Sequence, residues 1–456
     1  MTETTHKKPK KFRRIKWVIW IFLFLAVLLA IPAVLAVLSG ISAPVWVNTQ
    51  VEQRLNAAIE PMQIKIGSID LKLAPGSLSP SLAFSSVRIL DGDKKLRAIL
   101  PKVQGRVDGW EFLMGRIRPT RLEIHAASLR LLRDDEGRFD ISIGDAGSIT
   151  GLTQDVTTFE QRVTVPDIVA KFENFLGKPF LQKLQKIQAD DIYVRLDDAL
   201  SKRNWQFRQG VMTFENNESA LSANVTFELQ NADEPVAGAT FTFSKNKGQQ
   251  AVDFSTRFKG VRAKDVADQV AALDWLRLLD APIDGSVSLS VQPDGSFGDL
   301  FGVLNIGAGQ LFAAEDTRPV KFISAKAYLT YEKDLEKLTF NQISIDTEAA
   351  RIEAEGHAYL SDRIDRTIGA VIGQLNFTKV VVNPDGFFET PLNIDLGAVD
   401  MRVMLNPLKV DIGQMVLVDG DTRFVMHGNI AADEHGWTSA LDMTVNRVSL
   451  QQALQL

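Results

Sequence analysis

Alternation of apolar and polar residues is the dominant pattern of this chain. It runs through Ile69-Asp70-Leu71-Lys72-Leu73, Leu82-Ala83-Phe84, Leu129-Arg130-Leu131 and Val225-Thr226-Phe227-Glu228-Leu229, and returns in Phe241-Thr242-Phe243 and Val287-Ser288-Leu289-Ser290-Val291. Later examples are Ile343-Ser344-Ile345, Met401-Arg402-Val403-Met404-Leu405 and Leu441-Asp442-Met443-Thr444-Val445. Successive side chains of a strand point to opposite faces, so a period of two predicts strands with one face withdrawn from water. Turn residues fall between the runs, at Glu136-Gly137, Asn216-Asn217, Lys247-Gly248, Pro293-Asp294-Gly295, Pro384-Asp385-Gly386 and Asp419-Gly420. Hairpin-linked, antiparallel strands follow. With roughly 20 of them at about 4.8 Å each, one sheet would extend on the order of 95 Å, a length at which open sheets curl or split.

Helical spacing interrupts the alternation in three places. Val47, Val51, Leu55 and Ile59 form a four-residue stripe that predicts a short helix over Pro44–Glu60. Pro166 to Ile187 carries a second apolar face, with Gly177 and Pro179 placed to kink or split it, and Ala263 to Leu279 carries a third through Val266, Val270, Leu273, Leu276 and Leu279.

The start of the chain is of another kind. Lys7, Lys8, Lys10, Lys11, Arg13, Arg14 and Lys16 precede an uncharged apolar run from Trp17 to Leu38. As a helix that run is roughly 33 Å long, enough for a hydrocarbon core of about 30 Å. The basic cluster predicts a cytoplasmic N-terminus with the bulk of the chain on the far side of the membrane. A cleaved signal peptide is the competing reading, but its apolar core is shorter and ends at a small-x-small site, which neither Ala33-Val34-Leu35-Ala36 nor Ile41-Ser42-Ala43 provides. Trp17 and Trp20 suit the cytoplasmic interface and Trp46 the opposite one, and Pro32 bends a membrane helix without excluding it.

Setting that basic tail aside leaves a remainder more acidic than the whole chain's net charge of −5, with no second basic cluster. Nucleic acid is therefore not an expected partner. Cysteine is absent, so stability must come from burial and strand pairing. Catalytic chemistry is not visible: there is no phosphate-binding glycine loop, no nucleophile elbow and no helical histidine pair. The five histidines (His6, His125, His357, His427, His435) are scattered; only His427 and His435 could meet across a hairpin, and two imidazoles alone make a poor metal site. Asp134, Asp135, Glu136 and Asp140 lack calcium-loop spacing and read as a solvated hairpin tip. Neither an enzyme, a metal nor a cofactor is expected.

Particular phrases resemble AsmA-like proteins. Leu129-Arg130-Leu131-Leu132-Arg133-Asp134-Asp135-Glu136-Gly137-Arg138-Phe139-Asp140-Ile141 is similar to their strand, R-D-x-x-G-R turn, strand element, and Gly115-Arg116-Ile117-Arg118-Pro119 precedes it as a G-R-I-x-P element does. Ala281 to Leu289, Gly307-Ala308-Gly309-Gln310-Leu311 and Arg262 to Ala267 resemble the middle of the YhdP-like branch. The resemblance implies a bacterial inner-membrane protein with a periplasmic β-groove that moves phospholipid toward the outer membrane and supports its permeability barrier. Members of that branch are usually much longer, and the pattern breaks off at Gln451 to Leu456, so an N-terminal fragment is expected.

The expected fold is thus mainly β: one transmembrane helix, then a long curved antiparallel sheet with a few short helices. The expected divisions are a basic tail at 1–16, the span at 17–38, a juxtamembrane helix within 39–60, a β region at 61–150, a β region with helical insertions at 151–280 and the groove's continuation at 281–456. Groove residues would be Leu71, Leu73, Leu82, Phe84, Leu129, Leu131, Val225, Phe227, Leu229, Phe241, Phe243, Val287, Leu289, Val291, Ile343, Ile345, Met401, Val403, Leu405, Met443 and Val445, with Trp17, Trp20, Pro32 and Leu38 in the anchor. Phospholipids, the inner membrane and other envelope proteins are the expected partners. A periplasmic scaffold working through strand edges is the alternative, and a hydrolase of envelope polymers a third.

Overall fold

The computed structural model describes most residues between 41 and 446; residues 1–40, 145–172 and 447–456 lie outside it, as do shorter stretches, the longest being 74–79, 134–138, 230–236, 268–275 and 313–317. The expected anchor, with Trp17, Trp20, Pro32 and Leu38, falls outside the described residues. Among those described, no helix is long and apolar enough to cross a membrane. Two compact units are distinguished, one from described parts of 1–128, 142–149 and 174–189, the other from those of 129–141, 150–173 and 190–456.

The first unit contains β1 (Ile41–Ser42), α1 (Val45–Ile59), β2 (Gln63–Lys65), β3 (Ser68–Leu73), β4 (Pro80–Leu90), β5 (Leu96–Val107), α2 (Gly109–Leu113) and β6 (Pro119–His125). The strands pair antiparallel in the spatial order β1, β3, β4, β5, β6, and β2 lies against the second half of β4. Leu82–Phe84 and Val87–Ile89 belong to one strand although their parity is opposite: Ser86 between them takes a left-handed conformation (φ 53°), and the register with β5 is the same on either side of it. The helix expected over Pro44–Glu60 is α1. It ends at Glu60, whose extended backbone (ψ 137°) is the conformation that the following Pro61 imposes. Val51, Ile66, Ile69, Leu82 and Val107 form a buried cluster, with Ala43, Leu55, Ile64, Leu71, Phe84 and Ile117 packed on it. Side chains lock the helix to the strands: Asn56 Nδ2 donates to the Ile64 carbonyl (3.1 Å) and the Ile64 N–H donates back to Asn56 Oδ1, while the Ile66 N–H donates to Glu52 Oε1.

Strands β7 (Ser128–Arg133), β8 (Phe139–Gly144) and β9 (Lys186–Asp198) come next in the chain. The helix expected over Pro166–Ile187 falls largely outside the described residues; its described part is helical at 173, 174 and 176 and is followed by turns, and β9 already begins at Lys186. Gly177 and Pro179 stand where the helix gives way, as their chemistry requires.

The second unit is a meander of β10 (Arg203–Asn216), β11 (Ala220–Leu229), β12 (Ala237–Asn246), β13 (Val252–Arg262), β14 (Leu279–Asp280), β15 (Pro282–Val291), β16 (Phe297–Ile306), β17 (Gly309–Leu311), β18 (Val320–Phe322), β19 (Ser324–Glu332) and β20 (Lys337–Asp346). It continues with β21 (Ala350–Ile364), β22 (Thr367–Val382), β23 (Leu392–Ile394), β24 (Leu396–Leu405), β25 (Leu408–Asp419), β26 (Thr422–Asp433) and β27 (Gly436–Asn446). From β10 to β27 each main strand pairs antiparallel with the next, while β14, β17 and β18 make a separate small sheet. The helix expected over Ala263–Leu279 is reduced to α3 (Ala263–Ala267) and a single turn at Leu276–Leu278, with 268–275 outside the described residues. Ala263, Leu276 and Ile283 are buried together there, against Phe258, Leu279, Leu304 and Ile306.

Candidate functional site

Strand register gathers residues far apart in sequence into rows, because partners directly opposite each other in a ladder point to the same face. One row runs Phe227, Ala239, Phe258, Gly285, Leu304, Ala327, Ile343, Ala354, Phe377, Gly397, Leu417, Phe424, Val445. It crosses the second unit from β11 to β27 without a polar side chain. The neighbouring row on that face begins Val225, Phe241, Thr256, Val287, Gly302, Leu329, Phe340 and carries one hydroxyl, Thr256; the row beyond it is Ala223, Phe243, Phe254, Leu289, Leu300, Tyr331, Leu338, Ala358, Gly373, Met401, Ile412, Gly428, Leu441. Tyr331 is its one polar member.

The opposite face has the contrary character. Its row Asn224, Thr242, Ser255, Ser288, Phe301, Thr330, Thr339, His357, Gln374, Asp400, Gln414 is polar but for Phe301. Hydroxyls there meet across strands, as at Thr226 and Thr240 (3.3 Å), and Asn224 Nδ2 donates to Thr242 Oγ1 (3.4 Å). A depression of about 510 Å³ opens among Thr242, Ser244, Asp253, Ser255, Ser288, Ser290, Asp299 and Phe301 of this face, with Phe254 and Leu289 also in its lining. Arg351 and Asp346 make a two-point ion pair (2.6 and 2.8 Å), and the hydrogen bond from Arg351 holds the Asp346 carboxyl below its usual range.

The two faces also differ in access to water. Along β13 the polar-face residues Asp253, Ser255, Arg257 and Lys259 are exposed, whereas Phe254, Thr256 and Phe258 between them are half-buried. The same alternation recurs at 371–376 in β22 and at 399–403 in β24. Glycines make the crowding on the apolar face possible. A Cβ on Gly285 would stand 2.8 Å from the Phe258 ring, and one on Gly397 would stand 2.7 Å from Leu417 and 2.8 Å from Phe377, so neighbouring side chains lie down over the bare backbone. Aromatic pairs add contacts at Phe243 with Phe254 (5.5 Å) and Phe207 with Phe227 (5.7 Å).

Short covers reach this face at the strand ends. The α3 cluster lies over the Phe258, Ile283 and Leu304 end, and at the other end Lys245 Nζ is held 2.6 Å from Glu173 Oε2. Trp437, opposite Ala432 in β26, donates its indole N–H to the Arg318 carbonyl at 3.0 Å.

The expected groove residues divide between the units. Leu82 is buried under α1, and Leu71 and Phe84 pack on the same cluster. Val225, Phe227, Phe241, Phe243, Val287, Leu289, Val291, Ile343, Ile345, Met401, Val403, Leu405, Met443 and Val445 stand in the ladders of the second unit, with Val291 buried and Phe241, Ile345 and Met443 exposed. The side chains of Leu73, Leu129, Leu131 and Leu229 lie outside what is described. Sequence reading missed Phe254, Phe258, Leu304, Leu329, Phe377 and Leu417, which share the face. Phe254-Ser255-Thr256-Arg257-Phe258 carried the signal for two of them.

Among the described residues no group of three or more His, Cys, Asp or Glu is placed to hold a metal. His427 lies 3.4 Å from Asp442 on the polar side, and His435 is outside the described residues. Asp197 lies between two arginines: burial pushes its carboxyl up, but hydrogen bonds from Arg195 and Arg130 (2.8 and 2.7 Å) outweigh this and hold it below the usual range. That arrangement joins β7 to β9 and offers no reactive group. Comparison with known protein families, characterised proteins and solved structures gave no match to this chain.

Proposed function

We propose that the apolar face of the second unit is an open trough for the acyl chains of phospholipids, in a protein anchored in the bacterial inner membrane by residues 17–38 and engaged in lipid transport toward the outer membrane. The observation that carries this reading is the unbroken row from Phe227 to Val445. At about 4.8 Å per strand its twelve steps measure roughly 58 Å, an apolar surface far larger than the few hundred Å² that a soluble monomer ordinarily leaves uncovered. Each CH₂ of an acyl chain laid on it gains about 0.8 kcal/mol. Headgroups stay at the rim, in water. The AsmA-like resemblance points the same way.

A trough needs a sheet bent toward its apolar face, and the Trp437 to Arg318 hydrogen bond supports the bend. Seven pairing steps separate β19 from β27, about 34 Å in a flat sheet. Arg318 stands six residues before Ser324, the start of β19, and six extended residues span at most about 21 Å. Bulges supply curvature at Gln209 in β10, at Gly260 in β13 and at Thr378, left without a partner between Phe377 and Lys379.

A photo-crosslinking residue at Phe243 or Leu289 tests the reading in cells. Phospholipid adducts are expected at both. Adducts with protein alone would favour the second reading, a scaffold, for which the specific observation is β27: it is exposed along nearly its whole length and pairs only with β26 among the described residues.

A further inference from the structure

The first unit turns a carboxylate inward and a tryptophan outward. Asp108 caps α2, its Oδ1 accepting from the Glu111 N–H at 3.0 Å and its Oδ2 lying 2.9 Å from Lys183 Nζ. The backbone hydrogen bond first, and Lys183 second, hold the Asp108 carboxyl below its usual range. Glu111 is only 8% exposed, with Arg116 and Arg118 each at 3.5 Å and Lys183 at 3.7 Å. On the same turn Trp110 is 71% exposed and Met114 48%. An ordinary wet surface has the opposite arrangement.

Strand register says which way this turn faces. Ile41 pairs with Leu71 and Ser42 with Asp70, so β1 begins on the side of the ladder nearer the Leu73 end of β3. At that end Leu73 pairs with Pro80, the first residue of β4. Arg106 pairs with Ser81, so β5 leaves the ladder there too and passes directly into α2, and β6 returns with Pro119 opposite Val107. Only Ser39 and Gly40 separate Ile41 from Leu38, where the expected span ends, a reach of at most about 10 Å. The start of β1 and the exposed tryptophan share one end of the unit.

We infer that α2 is a second membrane contact of this protein, with Trp110 and Met114 seated in the headgroup zone of the bilayer from which the chain emerges. The indole suits that zone, having an apolar body and a polar N–H. A single transmembrane helix leaves the attached unit free to swing; a second contact fixes its tilt and orients the strand ladder against the lipid surface. The inference rests on the anchor in the reading above and not on the trough.

The chain has no cysteine, so one introduced thiol carries one probe. The full chain is reconstituted into phosphatidylethanolamine–phosphatidylglycerol nanodiscs with an environment-sensitive fluorophore on Met114→Cys, on Leu335→Cys in the second unit (58% exposed) or on Val34→Cys within the expected span. Blue-shifted emission at 114, quenched by lipids with a spin label near the headgroup, is expected beside water-like emission at 335. Adding Trp110→Glu to Met114→Cys should weaken the quenching. Water-like emission at 114 with quenching at 34 overturns the second contact and leaves the anchor standing. Water-like emission at both overturns both, and lipid crosslinking at Leu289 is scored separately from either result.

Discussion

The two units present the same alternation with different outcomes. In the first, the apolar side of β3, β4 and β5 lies beneath α1, and Ile69 and Val107 are each 2% exposed. In the second, two apolar rows cross the strands from β11 to β27, and the short covers, α3 at one strand end and Glu173 at the other, leave the length between them half-buried in β13 and exposed in places such as Phe241 and Met443. Periodicity therefore reports that a face avoids water and is silent about what replaces the water. In the first unit an amphipathic helix of fifteen residues, encoded just upstream, provides the layer. In the second the described chain supplies only short pieces, and this is why we assign the layer to a ligand.

The difference is open to direct attack. Ile69→Asp places an unpaired carboxylate under α1 and should cost about 3–5 kcal/mol, enough to collapse abundance and shorten the proteolytic half-life severalfold. Leu289→Asp makes the same chemical change in the trough, where water reaches the carboxylate whenever lipid is absent. It should cost under about 1 kcal/mol in chemical denaturation, with loss of lipid crosslinking at neighbouring positions and a leakier outer membrane. Ser288→Asp on the polar face is the mild control. Should Leu289→Asp vanish to proteolysis while Ser288→Asp accumulates, the contrast between the units is gone and a packed layer must be sought over both.

A smaller effect concerns pH. No member of the two apolar rows except Tyr331 can ionise, and the second unit's carboxylates with displaced titration, Asp197 and Asp346, are both lowered. A lowered folded-state value means that their stabilisation is complete above the ordinary carboxylate range near 3.9 and is lost only as pH falls through the lower folded value. Lipid capture at Leu289 should therefore be level from pH 8 to pH 5, as read by adduct yield. A fall by half across that window would bring a charged residue into the acyl contact.

Much of this arrangement was legible in the sequence, to a definite limit. The stripe of Val51 and Leu55 foretold α1, and the alternating runs named many residues of the apolar face. Parity failed where bulges intervene: Phe377 and Val380 are three apart, yet both face the apolar side because Thr378 drops out of the ladder, and no local pattern marks that. Rows were invisible for a related reason. Which of Phe258, Gly285 and Leu304 stand side by side depends on the register of three hairpins, set by turn lengths and by the close fit of ring over glycine. The outward turn of Trp110 was equally hidden, since it depends on Asp108 and Lys183, distant in sequence, taking hold of Glu111 and its helix.

The meander of the second unit also sets how it is made. From β10 to β27 each main strand finds its partner immediately after it in the chain, or after the short intervening β14, β17, β18 and β23. Loop-closure entropy per step is then small, and a newly added strand needs only the one before it as template. Assembly can keep pace with a chain delivered from its N-terminal end, hairpin upon hairpin, without waiting for distant segments. Until the next strand arrives, the leading edge carries unpaired amides and carbonyls, so the stage most exposed to misassociation travels along the sheet as it grows.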